Sequence, residues 1–408
     1  MENKCYLGID LNEQSAMISY YQLHMREPET VSPIAGSEMY QIPLFLAKKK
    51  KQDIWYYGEE AKQMAKNSEV IFFDSLLQKA LLEEEVEVEE DVYQAIELLC
   101  IFLKKIMKLP TFLENSTSCD CLVLSVEQLT KEHMMIFRKI GIRLGFSKEQ
   151  FMVINHKESF YYYVLNQPEG LWMHDVYLFE ADNYTIHSYR LSRNIRTIPQ
   201  VITINESARI NLNEPKDLEF LELLKKSFEN QRVSCVYLVG EGFDGNWLRE
   251  SVAFLCRGRR AFAGNNLFSK GACYAAYIKM QQRPWNFIYI GENDMKFNLS
   301  LKVKNRGTDE FLTLISAGEN YFEMQAGCEV VLDGTMEVDF WKQLPHSKEA
   351  VIETLALTDL PQRPERTTRL RITAIPIADD KIEVEIKDLG FGDIFKSTQK
   401  VWKYTMEM

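Results

Sequence analysis

The sequence lacks the features that most directly identify a membrane, secreted or metal-binding protein. Its eight cysteines include no repeated C-x-x-C pair, which argues against a zinc site and against a disulfide framework. The apolar run at 98–103 is far shorter than the roughly 20 residues that a membrane-spanning helix needs. No basic segment precedes an apolar stretch near the first residue, so no signal peptide is expected. We therefore predict a cytoplasmic protein without membrane insertion and without a bound metal.

An excess of positive charge is also missing. The 408 residues carry 48 Lys and Arg against 59 Asp and Glu, which gives a net charge of −11. This balance argues against nucleic acid as a partner, because a polyanion is bound by surplus basic residues. Two short basic runs, at 48–51 and 257–260, contain no aromatic residues and are interpreted as solvated turns.

The chain does contain two regions of different secondary structure. The first alternates strands with helices, such as a helix that Thr130 can cap and Gly145 can end. After a polar segment the chain is mostly strands, and at 381–387 apolar and charged residues alternate as in a half-buried strand. We predict an α/β domain over 1–283 and an antiparallel β-sandwich over 284–408.

Four segments carry a family resemblance. Residues 6–20 and 176–191 each form a strand–turn–strand pattern, and 236–252 begins with a strand that ends in glycines. In this order they resemble the ATPase domain shared by actin, sugar kinases and DnaK-type heat-shock chaperones. Residues 355–392, with a Leu-Pro turn before two long strands, resemble the end of the chaperones' peptide-binding β-domain. The resemblance covers nearly the whole chain and rests on order and spacing more than on identities.

The resemblance implies a specific architecture. It implies an actin-like ATPase fold of two ribonuclease-H-like lobes, lobe I at about 1–175 and lobe II at about 176–283. The short segment 194–231 implies that the usual insertion of the second lobe is reduced. The β-sandwich at 284–408 would correspond to the chaperones' peptide-binding domain.

The first phosphate loop of that family is only partly present. Gly8 and Asp10 match the family pattern. Asn12 replaces a glycine, and Glu13 and Gln14 stand where threonines would contact phosphate. A carboxylate at Glu13 would repel a triphosphate.

The other nucleotide motifs are altered as well. Glu180 stands for the metal-organising aspartate of the second loop and Thr185 is kept, but 182–184 replaces the intervening glycines with Asp, Asn and Tyr. The family's catalytic glutamate aligns with His156, and its catalytic lysine aligns with Leu76.

The adenosine-binding segment keeps Gly240 and Gly242, although Glu241 separates the usual glycine pair. Each retained residue also has an ordinary use at a strand end or in a turn. Hydrolysis on this fold needs phosphate-binding amides and carboxylates that hold Mg²⁺. We therefore predict a vestigial nucleotide cleft with no catalytic residue and no cofactor, in a pseudo-ATPase that acts as a chaperone-like scaffold. The alternatives are an active chaperone or kinase of this fold, which would use ATP and magnesium, and an actin-branch cell-shape or assembly protein.

The expected partners are proteins or extended peptide segments. In the β-domain, Tyr321, Phe322 and Met324 follow the turn 316–320 and could form an adaptable apolar pocket for a peptide. Strand alternation explains Phe322 and Met324 equally well as residues that face the core of the sandwich.

Overall fold

A computed structural model describes residues 4–34, 36–110, 119–281 and 284–408. Residues 282–283, at the end of the first domain expected from the sequence, lie outside the described residues. The chain forms two compact units. One comprises Met1–Ser192 and Ile204–Pro284, and the other comprises Arg193–Thr203 and Trp285–Met408.

The two units are built from strands and from helices of moderate length. The strands are β1 (Cys5–Leu11), β2 (Ser15–Gln22), β3 (Glu29–Val31), β4 (Ile42–Pro43), β5 (Leu46–Lys49), β6 (Trp55–Tyr57), β7 (Val70–Phe73), β8 (Glu85–Val88), β9 (Asp91–Gln94), β10 (Cys121–Val126), β11 (Phe151–Asn155), β12 (Asp175–Ala181), β13 (Thr185–Asn194), β14 (Gln200–Asn211), β15 (Val233–Val239), β16 (Arg260–Ala263), β17 (Phe287–Tyr289), β18 (Asn298–Asn305), β19 (Thr308–Ile315), β20 (Ala326–Val331), β21 (Glu337–Gln343), β22 (Val351–Ala356), β23 (Arg369–Ala378), β24 (Lys381–Gly390) and β25 (Val401–Glu407). The helices are α1 (Gly58–Met64), α2 (Leu76–Leu81), α3 (Ala95–Ile106), α4 (Lys131–Leu144), α5 (His156–Leu165), α6 (Lys216–Ser227), α7 (Glu250–Leu255) and α8 (Leu267–Lys279).

The first unit contains two sheets with the same strand arrangement. In one, the order is β11-β10-β1-β2-β3, with β1 parallel to β10 and antiparallel to β2. In the other, the order is β16-β15-β12-β13-β14, with β12 parallel to β15 and antiparallel to β13. The first unit is therefore a mixed α/β structure in which one strand pattern occurs twice.

Local sequence chemistry explains the ends of several elements. Thr130 caps α4 by accepting a hydrogen bond from the backbone N–H of His133, as the sequence predicts. Gly145 ends the same helix in the left-handed conformation with φ 91°. The basic run at 48–51 differs from its prediction as a solvated turn. Lys48 is buried on β5, and its ammonium group lies 2.7 Å from the Glu89 carboxylate. A lysine can be buried in this way because its aliphatic stem packs on apolar surface while its charge is paired.

Helix α8 packs on the first sheet at very close range. A Cβ atom at Gly8 would lie 2.5 Å from the backbone nitrogen of Cys273, so only glycine allows this approach. On the adjacent strand, the hydroxyl of Ser19 lies 2.8 Å from the hydroxyl of Ser269 on the same helix. These contacts hold β1 and β2 against α8.

The second unit contains two antiparallel four-stranded sheets. Their orders are β19-β18-β21-β22 and β20-β23-β24-β25. The buried faces of both sheets share one apolar core, which makes the arrangement sandwich-like. Ile382, Val384 and Ile386 all face this core with no exposed surface, which confirms the alternation predicted for that strand. The segment Arg193–Thr203 also belongs to this unit, where Gln200–Ile202 of β14 pairs in parallel with β17.

A buried ion pair in this unit connects the segment before β23 with β24. Asp388 is fully buried and accepts two hydrogen bonds from the Arg363 guanidinium, at 2.8 and 2.9 Å. It also accepts hydrogen bonds from the backbone N–H groups of Gly390 and Thr398. Burial alone would raise the pKa of Asp388, but these donors hold the pKa well below its usual range.

Within the described ranges, none of the helices is both long enough and apolar enough to cross a membrane.

Candidate functional site

The turn after β1 satisfies its own backbone donors. The side-chain oxygen of Asn12 accepts hydrogen bonds from the backbone N–H groups of Gln14 and Ser15, at 2.9 and 2.8 Å. The N–H of Asn12 in turn donates to the Ser15 carbonyl at 3.0 Å. The side chains of Glu13 and Gln14 are exposed. This is an Asx turn, in which a short polar side chain accepts hydrogen bonds from the backbone amides of its own loop.

The turn after β12 repeats the arrangement. Asp182 accepts hydrogen bonds from the backbone N–H groups of Tyr184 and Thr185, both at 2.6 Å. The hydroxyl of Thr185 donates to the second carboxylate oxygen at 2.9 Å. Burial would raise the pKa of Asp182, but these hydrogen bonds lower it below its usual value. The Asp182 carboxylate therefore adds charge to the loop and also accepts hydrogen bonds from the loop's own N–H and hydroxyl groups.

His156 contacts one residue of β1 and one of β12 and so joins the two sheets. It begins α5, whose first turn is capped by the Asn155 side chain accepting from the N–H of Glu158 at 2.8 Å. The His156 Nε2 atom lies 2.8 Å from Asp10 Oδ1, at the end of β1. The Nδ1 atom lies 3.4 Å from Glu180 Oε1, on β12. We call Asp10, His156 and Glu180 the histidine cluster.

The imidazole of His156 is packed as well as paired. Its ring stacks on Phe268 of α8, with 3.8 Å between centroids and 9° between planes. His156 and Asp10 are both buried, whereas Glu180 is partly exposed. The contact of Nδ1 with Glu180 is an ion-pair contact without hydrogen-bond geometry, and no described residue accepts a hydrogen bond from Nδ1.

The charge state of the histidine cluster follows from its surroundings. Burial on its own would lower the pKa of His156, but the carboxylates of Asp10 and Glu180 outweigh burial and raise the pKa to about 10. The ring is therefore an imidazolium at neutral pH. A buried cation of the chain itself lies between two carboxylates.

The retained glycines are explained by close packing of the backbone. Gly8 faces helix α8, as described above. A Cβ at Gly240 would lie 3.1 Å from the Ala181 backbone nitrogen, and Gly240 also has a φ of 107°. A Cβ at Gly242 would lie 2.8 Å from the Ala181 Cβ. The two glycines of the predicted adenosine segment therefore pack directly against the second turn.

The models of two protein families match this chain. The C-terminal model of a family of unknown function (DUF5716) matches residues 27–292, which is more than half of the chain. The chain belongs to this family. A domain of unknown function (DUF8552) matches residues 294–408. A search of curated proteins gave no match. In this DUF5716 protein, His156 and Glu180 lie inside the matched range, and Asp10 precedes it.

The remaining residues singled out from the sequence lie elsewhere. Leu76 is buried at the start of α2, and its apolar side chain carries no charge. Tyr321, Phe322 and Met324 are half-buried in the turn segment between β19 and β20 rather than on a strand. Tyr321 and Met324 pack against the sandwich core, and the Tyr321 and Phe322 rings contact each other at 4.4 Å between centroids.

Sequence reasoning missed Phe268 as a site residue. No local pattern marks it, because its role depends on α8 returning to the first sheet from more than 100 residues along the chain.

Across the described part of this DUF5716 protein, no group of three or more His, Cys, Asp or Glu side chains is arranged to hold a metal ion.

Proposed function

We propose that this DUF5716 protein is a DnaK-like pseudo-ATPase that acts in the cytoplasm as a scaffold for protein contacts. The proposal includes an actin-like ATPase fold, which the twofold occurrence of one strand order in the first unit supports. The observation that carries the proposal is the position of His156. Its ring fills the space between Asp10 and Glu180, at 2.8 and 3.4 Å.

The histidine cluster is a poor fit for magnesium. By the resemblance, its two carboxylates would organise a metal ion and a catalytic residue would position water. Here the imidazolium already supplies one positive charge between the two carboxylates, and its ring is held in place by Phe268. A Mg²⁺ ion would have to displace a buried cation and keep oxygen ligands around it.

The two Asx turns are a poor fit for a triphosphate. Phosphate binding in such loops depends on free backbone N–H groups. In both turns those groups donate to Asn12 or Asp182. A nucleotide would need to break these hydrogen bonds and approach the Asp182 carboxylate, which costs free energy at each step.

Nucleotide binding is tested by melting and by hydrolysis. We expect the melting temperature in millimolar ATP to be the same with and without Mg²⁺. We also expect phosphate release to equal that of a no-protein control. A bound ligand at a hundredfold excess over Kd would stabilise the native state by about 2.7 kcal/mol, which melting detects easily.

The His156→Gln variant is the matched control for this test. A Mg²⁺-dependent, saturable rise in melting temperature, or phosphate release that His156→Gln abolishes at a temperature where the variant is still folded, would refute the proposal in favour of an active ATPase. Release that the variant leaves unchanged would indicate a contaminating ATPase.

For the scaffold role, the proposed binding element is the turn that carries Tyr321, Phe322 and Met324. We expect short apolar peptides to bind the full chain saturably in fluorescence anisotropy and a Tyr321→Ala, Met324→Ala variant to bind more weakly. Phe311→Ala is the matched control, because Phe311 is a 57% exposed aromatic elsewhere in the same unit. Equal binding by all three proteins, or none by the parent, would remove this turn as the binding element.

A further inference from the structure

A cavity lies at the edge of the second sheet of the first unit. It has a volume of about 530 Å³. Its lining residues come from the segment before β12, the start of β15 and the segment between α7 and β16: Pro168, Gly170, Leu171, Ser234, Cys256, Gly258, Arg259 and Arg260. This volume is within the range of roughly 300–1,000 Å³ that small-molecule sites occupy. We call it the arginine cavity.

The lining of the arginine cavity is cationic. It includes two arginines and no carboxylate, in a chain whose net charge is −11. Among the described residues, neither Arg259 nor Arg260 has an acidic side chain within ion-pair distance. Unpaired arginines beside a cavity attract an anion, because a guanidinium offers several N–H donors in a fixed plane.

Arg259 is held in position by two aromatic rings. Its guanidinium carbon lies 4.5 Å from the centroid of Phe228 and 5.1 Å from that of Phe254. Its Nη1 atom is buried, and no described residue accepts a hydrogen bond from it. The basic run at 257–260 is therefore not wholly a solvated turn, because these rings draw Arg259 into the structure.

Neutral donors complete the lining. The Ser234 hydroxyl accepts a hydrogen bond from the backbone N–H of His174 at 2.8 Å, so its own hydrogen is left to donate. At Gly258, where φ is 74°, and at Gly170, no heavy atom lies within 4 Å of an added Cβ position. The backbone is therefore open at both glycines.

We propose that the arginine cavity binds a phosphate-bearing small molecule. A phosphate group carries up to two negative charges and several acceptor oxygens, which match two guanidinium groups and a hydroxyl. A single carboxylate would balance only one of the two arginines.

This site goes beyond the proposed function and is separate from the histidine cluster. The cavity includes Ser234 at the start of β15. Gly240 follows the other end of this strand and packs against Ala181, the residue next to Glu180 of the histidine cluster. Seven residues of extended strand span roughly 20 Å. The two ends of the sheet therefore offer independent sites.

The test uses inorganic pyrophosphate without Mg²⁺ on the full chain, at constant ionic strength. Cys256, the exposed cysteine in the cavity lining, provides the readout through its rate of alkylation by iodoacetamide. We expect pyrophosphate to slow this alkylation severalfold with saturation, and calorimetry to give the same Kd.

Three variants make the result specific. Arg260→Gln should weaken binding about tenfold, as expected for the loss of one charge-assisted hydrogen bond. Arg259→Lys should also weaken binding, because an ammonium group cannot reproduce the planar donors. Arg257→Gln is the matched control, since Arg257 lies in the same basic run outside the lining, and its affinity should stay within twofold of the parent.

Two results would overturn the proposal. One is the absence of saturable protection of Cys256 by pyrophosphate. The other is equal weakening by Arg257→Gln and Arg260→Gln, which would mean that surface charge alone attracts the anion. Failure here leaves the pseudo-ATPase proposal intact, because that proposal is tested by the Mg²⁺-dependent effect of ATP.

Discussion

Replacing His156 by Gln should destabilise the first unit in a pH-dependent way. A rise in the pKa of His156 from 6.5 to about 10 corresponds to roughly 5 kcal/mol at about 1.4 kcal/mol per pH unit. Removal of one partner from a buried ion pair costs about 3–5 kcal/mol in general. The side chain is buried, so little solvent screening reduces this value. We expect a loss of about 3–5 kcal/mol near pH 6.5.

The direction of the pH dependence follows from the raised pKa. Below pH 6.5 both the folded and the unfolded states carry the proton, and the stabilisation is fully present. Between pH 6.5 and about 10 only the folded state keeps it, so the parent loses about 1.4 kcal/mol per pH unit from this group. The difference between parent and His156→Gln should therefore shrink as the pH rises through this window.

Urea unfolding followed by hydrogen-exchange mass spectrometry of β1 and α5 is the suitable assay, because two units need not unfold together. His187→Gln is the matched control. His187 lies 3.1 Å from Glu206 but is more exposed, so its loss should cost under about 1 kcal/mol. Adding Asp10→Asn to His156→Gln should recover part of the loss, since the buried carboxylate is then gone. A cost of His156→Gln that is the same at pH 6.5 and pH 9.5 would refute the reasoning.

Two further pairs of substitutions, each a test with its control, probe ion pairing and backbone packing. Asp388→Asn should cost about 3–5 kcal/mol in urea unfolding, because it leaves the buried Arg363 guanidinium without its counter-charge. The deficit should shrink as the pH falls below about 4, since the stabilisation from the lowered pKa of Asp388 is fully present above the unfolded value of 3.8 and is lost progressively below it. Asp359→Asn, which breaks an exposed ion pair, should have little effect on stability at any pH. Gly8→Ala should cost about 3 kcal/mol in thermal melting through collision with the α8 backbone. Gly264→Ala, where the nearest atom lies 3.8 Å away, should be nearly neutral, and equal losses for the two glycines would contradict the packing argument.

Features that depend on local chemistry were predictable from the sequence. The limits of α4 follow from a threonine that can cap and a glycine that accepts positive φ, and both residues act within one turn of the helix. The buried face of β24 follows from strict alternation. In contrast, no local signal assigns Arg193–Thr203 to the second unit, because that assignment depends on pairing with a strand about 90 residues later.

The candidate site shows the same limit. The family order of segments pointed to Asp10, His156 and Glu180 individually, and the structure brings them together. Their charge state could not be predicted, because it depends on burial and on the stacking with Phe268. The sequence also predicted that Asp182 would add charge to a phosphate loop. The hydrogen bonds that turn its carboxylate onto its own loop depend on the turn's geometry.

The contact of α8 with the first two strands can form only late in the synthesis of the chain. Ser19 on β2 and Ser269 on α8 are 250 residues apart in the chain. Ribosomes add about 5–20 residues per second, so the face of the first sheet that α8 covers must wait about 10–50 s for its partner. During that interval the face of β1 that α8 covers in the folded unit lacks this partner. The first unit therefore cannot complete its packing on β1 and β2 until residues 267–279 have been synthesised.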